Sequence, residues 1–185
     1  NGFIAINPPL TGGRLGSLST RTAHPEYLTR LQHILDAADL RIRIENPYIA
    51  KTKGEMLRGC ADQDLLKAEA VRSTSCGRFQ RFNYHQCGRC VPCQVRRAAF
   101  MVWGGVPDTT GYVYEALGKN DDDHAGFDDV RSVAMALAAV AADGFEVWLG
   151  NSLGSPMISD RAALRAMVER GLAELTRLHQ AYGVT

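Results

Sequence analysis

Four of the five cysteines in the chain stand close together, at positions 76, 87, 90 and 93. Their spacing is C-x10-C-x2-C-x2-C. A gap of two residues lets neighbouring thiolates turn back toward one ion, because a tight knuckle puts both sulfurs on one side of the backbone. Gly88 follows Cys87 directly, where such a turn calls for a positive φ. Four thiolates at tetrahedral positions are the usual cage of a structural zinc. An iron–sulfur cluster is the sharper rival, since C-x2-C-x2-C also begins the ferredoxin pattern. That pattern needs a fourth cysteine three residues on, and here the same step leads to Arg97. A chance cluster of buried thiols is the plain alternative. His85 could stand in for one thiolate, but four cysteines already fill the shell. Disulfides fit poorly with adjacent C-x2-C pairs in a metal-like layout, which point to a reducing compartment. Cys60 lies apart and reads as a simple buried thiol.

The charge around this cluster is one-sided. Arg72, Arg78, Arg81, Arg89, Arg96 and Arg97 fall in a stretch without Asp or Glu. Zinc with four thiolates carries a formal charge of about −2, so part of the positive charge compensates the site. The rest suggests an anionic neighbour such as a phosphate, a carboxylate or nucleic acid. A solvated basic face balanced elsewhere would look the same. Lys53 is the other candidate. It follows Thr52 in a Thr-x-x-Glu capping box closed by Glu55, which starts a helix. A cation in the first helical turn opposes the helix dipole, so Lys53 is a candidate phosphate or carboxylate contact. A plain exposed lysine is the competing reading.

The surrounding elements can be read from their periodicity. Phe3 to Ile6 is apolar on both faces and reads as a short buried strand ended by Pro8 and Pro9. Residues 11–20 form a Gly/Ser/Thr-rich loop that lacks the lysine and the spacing of a Walker loop. His24-Pro25 opens a helix with Leu28, Leu31, Leu35 and Ala38 on one buried stripe. Leu40 to Ile44 alternates apolar and basic residues, as a half-buried strand does. Strand, helix and strand make a βαβ unit, so the expectation is a parallel sheet with ligands beyond its carboxyl ends. Asp62 to Ala70 is a short helix, and residues 94–103 form another, started by Pro92. Residues 106–114 read as turn and short strand. Residues 120–129 read as an acidic surface loop without the spacing of a calcium hand. Two long helices, about 130–142 and 160–182, close the chain, the second capped by Ser159. Phe145 to Leu149 between them reads as a strand.

The length of 185 residues suits one domain with a sizeable core. A net charge of +1, with 45% apolar and 22% charged residues, describes an ordinary globular chain, and the charge says nothing strong about partners. No apolar run reaches membrane-span length, and no signal-peptide pattern opens the chain. With the thiolates, this leads to an expected place in the cytoplasm. The chain begins at Asn1 and enters an apolar segment at once, which suggests an interior strand of something longer.

Three motifs in order, NPYIAKTKGEM, STSC and CGRCVPCQVRRAAF, resemble the 7-cyano-7-deazaguanine synthase (QueC) family. Together with LGSLSTRTAHP they look closer still to the QueC-like proteins of bacterial antiphage defence cassettes. The resemblance covers most of residues 1–105; the helical end from about residue 106 has no counterpart in QueC proper. It implies an α/β fold, a Rossmann-like parallel sheet related to PP-loop ATP pyrophosphatases (adenine nucleotide alpha hydrolase-like). In this chain the sheet would be incomplete. Residues 1–105 would hold the C-terminal portion of the QueC-like domain, including a zinc lobe at about 72–100, and residues 106–185 a mainly helical extension packed on it.

The resemblance also implies an activity. ATP activates the carboxylate of 7-carboxy-7-deazaguanine as an adenylate, ammonia displaces AMP to give an amide, and a second activation dehydrates it to the nitrile. The structural zinc carries over to Cys76, Cys87, Cys90 and Cys93. Lys53 matches the lysine that faces phosphates or substrate and is the catalytic candidate. Arg96 matches the arginine three residues after the last ligand. Arg21, His24 and Arg72 complete the substrate-binding candidates, although QueC proper has a different motif around Arg21 and His24. The spacer between the first two cysteines is longer than in QueC. The family's SGGxDS nucleotide loop does not occur here, so ATP and Mg2+ are expected only of the full-length protein, of which this chain would be the C-terminal part. In the defence proteins the activated deazaguanine is directed to an amine of a partner protein, which is thus an expected partner, as is a second copy in a homodimer; no membrane is expected. The rival reading is a zinc-stapled basic module that binds nucleic acid or protein without catalysis.

Overall fold

The computed structural model describes residues 1–10, 23–118, 129–150 and 152–184. Its elements are helices: α1 (Gly2–Ile6), α2 (Pro25–Ala37), α3 (Lys53–Arg58), α4 (Gln63–Glu69), α5 (Val91–Trp103), α6 (Asp129–Asp143), α7 (Phe145–Leu149) and α8 (Arg161–Ala181). Two 3-10 turns, Ala70–Arg72 and Gln80–Phe82, flank the first cysteine. Among the described residues the one β-bridge joins Gln86 to Tyr112.

The expected parallel sheet is therefore corrected. A sheet needs two extended segments side by side, and each supposed strand goes elsewhere. Phe3 to Ile6 lies within α1. The Asn1 side chain accepts from the Ile4 amide at 3.0 Å, and Asn7, at φ 52°, closes the turn by donating to the Ile4 carbonyl. A four-residue apolar run does not distinguish a buried strand from a buried helical turn. The caps decide, because they satisfy the end groups of a helix locally. Phe145 to Leu149 is α7, framed by Gly144 and Gly150. Among the described residues Leu40 to Ile44 has no neighbouring strand. The carboxamide of Gln32 takes that place, accepting from the Ile44 amide at 2.8 Å and donating to the Ile42 carbonyl at 2.9 Å.

The helices expected from periodicity stand at their places. His24 caps α2 through Nδ1, which accepts from the Glu26 amide at 3.2 Å, with Pro25 in the first turn. Thr52 and Glu55 form both halves of the capping box of α3. Pro92 lies in the first turn of α5. The last helix is capped by Asp160, not Ser159, and Asp160 Oδ1 accepts from the Ala163 amide at 2.9 Å. Of the acidic stretch, Asp129 is described. It opens α6 and accepts from the Val91 amide at 3.0 Å, closing the start of α5. The Gly-rich loop 11–20, Arg21 and residues 120–128 lie outside the described residues.

The main core is helix on helix. α5 packs against α3 on one side and α8 on the other, while α1 lies on α8 and α6 joins α7 and α5. Phe3, Ile6, Leu10, Val95, Ala98, Val133, Met167, Val168, Leu175 and Leu178 fill it. A buried polar pair ties α5 to α8: His179 Nε2 donates to Gln94 Oε1 at 2.8 Å, and Gln94 donates to the Arg89 carbonyl at 2.7 Å. Burial pushes His179 down to about 4, so the ring is neutral. Among the described residues no helix is long and apolar enough to cross a membrane.

Candidate metal centre and the lysine beside it

The four expected ligands meet. The Sγ atoms of Cys76, Cys87, Cys90 and Cys93 all lie within 4.8 Å of one another, and all four residues are buried. Cys87–Cys93 and Cys76–Cys90 are each 3.9 Å apart. Sulfurs about 2.3 Å from one tetrahedral ion sit about 3.8 Å from each other, so these separations suit a single ion. A four-iron cluster would place the thiolates on four separate irons and spread them further. Gly88 turns at φ 84°, as the knuckle requires. Backbone amides point at the sulfurs: Arg78 and Cys87 donate to Cys76 at 3.4 Å, and Cys90 donates to Cys87 at 3.2 Å. Such bonds favour thiolate over thiol.

Four sulfurs this close cannot all ionise without a cation. Thiol hydrogen bonds from Cys90 and Cys93 push Cys87 down to about 2. Donating to that thiolate holds Cys90 up at about 12 and pushes Cys93 up as well. A divalent ion removes the conflict by taking all four as thiolates. The donor set and its spacing thus fit a bound metal ion.

The rest of the lobe is held by buried arginines. Arg96 donates to the carbonyls of Ser73 (3.0 Å) and Ala70 (2.7 Å), and to the hydroxyls of Ser73 and Thr110. Arg97 is sandwiched between the rings of Tyr112 and Tyr182, at 4.8 and 4.4 Å, and donates to the Gly88, Tyr114 and Glu115 carbonyls. Both guanidiniums therefore staple the loop 106–115 and the approach to Cys76 onto α5. Among these partners there is no carboxylate.

Lys53 lies against the same lobe. Its Nζ donates to Ser75 Oγ at 2.6 Å, and the Ser75 amide donates to Gln86 Oε1 at 3.1 Å. Gln86 in turn donates to the Ser73 carbonyl at 3.2 Å, the carbonyl that Arg96 also binds. Burial, and then the charge of Arg96, push Lys53 down to about 8; the sulfur of Cys93 acts weakly the other way. No carboxylate among the described residues comes within ion-pair distance of Lys53.

The structure thus brings Lys53 and Arg96 together with the four cysteines. Arg72 points outward instead, paired with Glu69 at 3.1 Å on the surface. His24 serves as the cap of α2. Arg21 lies outside the described residues. Ser75 was legible only as part of STSC. Glu174 belongs to none of the motifs above, and it is central: it sits among Met167, Gly171, Leu175 and Leu178 on the buried side of α8 and accepts from Thr52 Oγ1 at 2.5 Å. An acidic residue inside an otherwise apolar stripe is the signal that marks it.

Two comparisons bear on this arrangement. Residues 22–104 match the family model described as queuosine biosynthesis protein QueC. A 7-cyano-7-deazaguanine synthase from Methanocaldococcus jannaschii is 31% identical over 91 residues, which is 48% of this chain and 39% of the relative. The chain spans about two-fifths of the length of that curated relative. No solved structure matches it. The metal site, the Lys53 turn and the helix carrying Arg96 all lie within residues 22–104, which are QueC-like, while α6, α7 and α8 lie beyond that match.

Proposed function

We propose that this chain is the substrate-facing, metal-stapled part of a QueC-like ATP-dependent enzyme that activates the carboxylate of 7-carboxy-7-deazaguanine. The adenylate forms with release of pyrophosphate, ammonia displaces AMP, and a second activation removes the amide oxygen to leave the nitrile. In a defence setting the same adenylate would react with an amine of a partner protein. ATP and Mg2+ belong to an SGGxDS-type loop, which these 185 residues do not contain. The metal is zinc and its role is structural, since four thiolates leave no open position.

One observation carries this reading. Lys53 and Arg96 are two cations side by side, held by neutral partners, with no carboxylate among the described residues to offset Lys53. A half-buried lysine in that position is stabilised by an anion, and a carboxylate or a phosphate supplies it. Arg96, with its donors committed to the fold, sets the local potential, and Lys53 makes the contact.

The test uses the complete protein that contains this chain. AMP formation dependent on 7-carboxy-7-deazaguanine is expected, and Lys53→Met should lower it about 100-fold or more, as removal of a group that stabilises developing charge does. A Lys53→Met protein with an unchanged rate would overturn the role of the lysine. Absence of substrate-dependent AMP formation would overturn the reaction.

The nucleic-acid alternative keeps one specific support. The loop between the first two cysteines exposes Tyr84 (67%) together with Arg81 and His85, and it carries no acid. Phosphate contacts from its arginines would make binding of single-stranded RNA strongly salt-dependent, and the stacking share of the affinity would be lost in Tyr84→Ala.

A further inference from the structure

The turn that carries Lys53 is held from outside the QueC-like segment. Glu174 of α8 accepts from the Thr52 hydroxyl at 2.5 Å, and the Gly54 amide also donates to its carboxylate. The residue on each side of Lys53 is therefore fixed by the same group. Thr52 is fully buried, and its hydroxyl oxygen also accepts from the Glu55 amide at 3.1 Å. Gly54 approaches so closely that an added Cβ would lie 2.8 Å from Glu174 Oε1 and 2.7 Å from Val102 Cγ1. One turn earlier on α8, Arg170 binds Glu55 at 2.5 Å and the Ala50 carbonyl at 3.0 Å. The capping box is thus gripped at its hydroxyl, its glutamate and the carbonyl that leads into it.

A helix cap normally needs only its own local residues. Here the local box is complete, and α8 still spends a buried carboxylate on it. Glu174 does not touch Lys53. It fixes the backbone on both sides of the lysine, and with it the path of the side chain toward Ser75. We propose that Glu174 is a positioning residue for Lys53, so that the C-terminal helix beyond the family match sets the orientation of the amine in the candidate site. This rests on Lys53 being the working group of that site, but its test does not need turnover.

The readout is the reactivity of the Lys53 amine, followed residue by residue with acetic anhydride across pH. The charged groups whose fields reach this amine are Arg96, Cys93 and the N-terminal amine of Asn1; those that act on Glu174 are Glu55 and Arg58. In the unaltered protein half-maximal labelling is expected near pH 8. In Glu174→Gln one carboxylate oxygen becomes an amide nitrogen, so the charge-assisted grip on Thr52 and Gly54 is weakened. The midpoint should then rise by about one unit toward that of a solvated lysine, about 10.4, while metal content stays unchanged. Glu174→Asp, which keeps the charge, should restore part of the shift. A merely structural role would lower the melting temperature and leave the Lys53 midpoint in place, and that result would overturn the proposal. Where Glu174→Gln fails to fold, Arg170→Met on the exposed rim decides: a smaller upward shift supports the clamp, and an unmoved midpoint overturns it. Loss of deazaguanine-dependent activity with an unmoved midpoint would leave the enzyme reading standing and refute this one.

Discussion

The cysteine lobe with α5 and the segment from α2 to Ile44 are held by different physics. In the lobe the four cysteines, Gln94, Arg96 and Arg97 are all buried, and their polar groups find partners within α5, in the loops that α5 pins and on α8. In α2 no residue is buried, and Ile34 is 65% exposed. That helix is held by its own devices: the His24 cap, Pro25, the Arg30–Glu26 pair at 2.9 Å and the Gln32 carboxamide on the chain that follows. A cleft of about 800 Å3, walled by Leu28, Ile44, Ile49, Ile158 and Leu164, separates it from the start of α8. The lobe thus draws its order from long-range bonds that exist only when everything is assembled. The α2 segment draws its order from neighbours in the sequence, and it shares little of the core.

This contrast can be broken most sharply at the metal. Cys93→Ser removes a fully buried ligand. Loss of the bound metal and unfolding of residues 72–104 are expected, because a structural zinc contributes about 10–16 kcal/mol of apparent binding energy to the folded state. Metal analysis and hydrogen exchange check this, and α2 should exchange as it does in the unaltered chain. Arg96→Met comes next. It strips the guanidinium donors from the Ala70 and Ser73 carbonyls and from Thr110, a loss of about 3–5 kcal/mol in urea unfolding, since each hydrogen bond to a charged group is worth about 1.5–3 kcal/mol.

The junction of α5 with α8 should respond to acid. Burial holds His179 down at about 4, against 6.5 in the unfolded chain. Between those values the unfolded state binds a proton that the folded state refuses. Stability is therefore full above pH 6.5 and falls as pH drops toward 4, by up to about 3 kcal/mol. Subtracting the unfolding curves of His179→Gln across this window should isolate that slope, and a flat difference would show that the ring titrates normally. The smallest effect belongs to α2. Ile34→Ser should change stability by less than about 0.5 kcal/mol, as surface substitutions do. A loss of about 2 kcal/mol in thermal unfolding would mean that this face is covered.

The local sequence determined several of the features whose partners lie within a few residues. The cysteine spacing, the Thr52–Glu55 box and the helix starts at Pro25 and Pro92 all could be read, because an amide three positions on is within reach of a cap and a two-residue gap lets a knuckle turn. Tertiary structure decided the rest. Whether Leu40 to Ile44 found another strand or the side chain of Gln32, and whether Glu174 would reach Thr52 across 122 residues, depended on which partners packing delivered. A short apolar run has no preference strong enough to outweigh such a partner, and so the sheet that periodicity suggested gave way to helices.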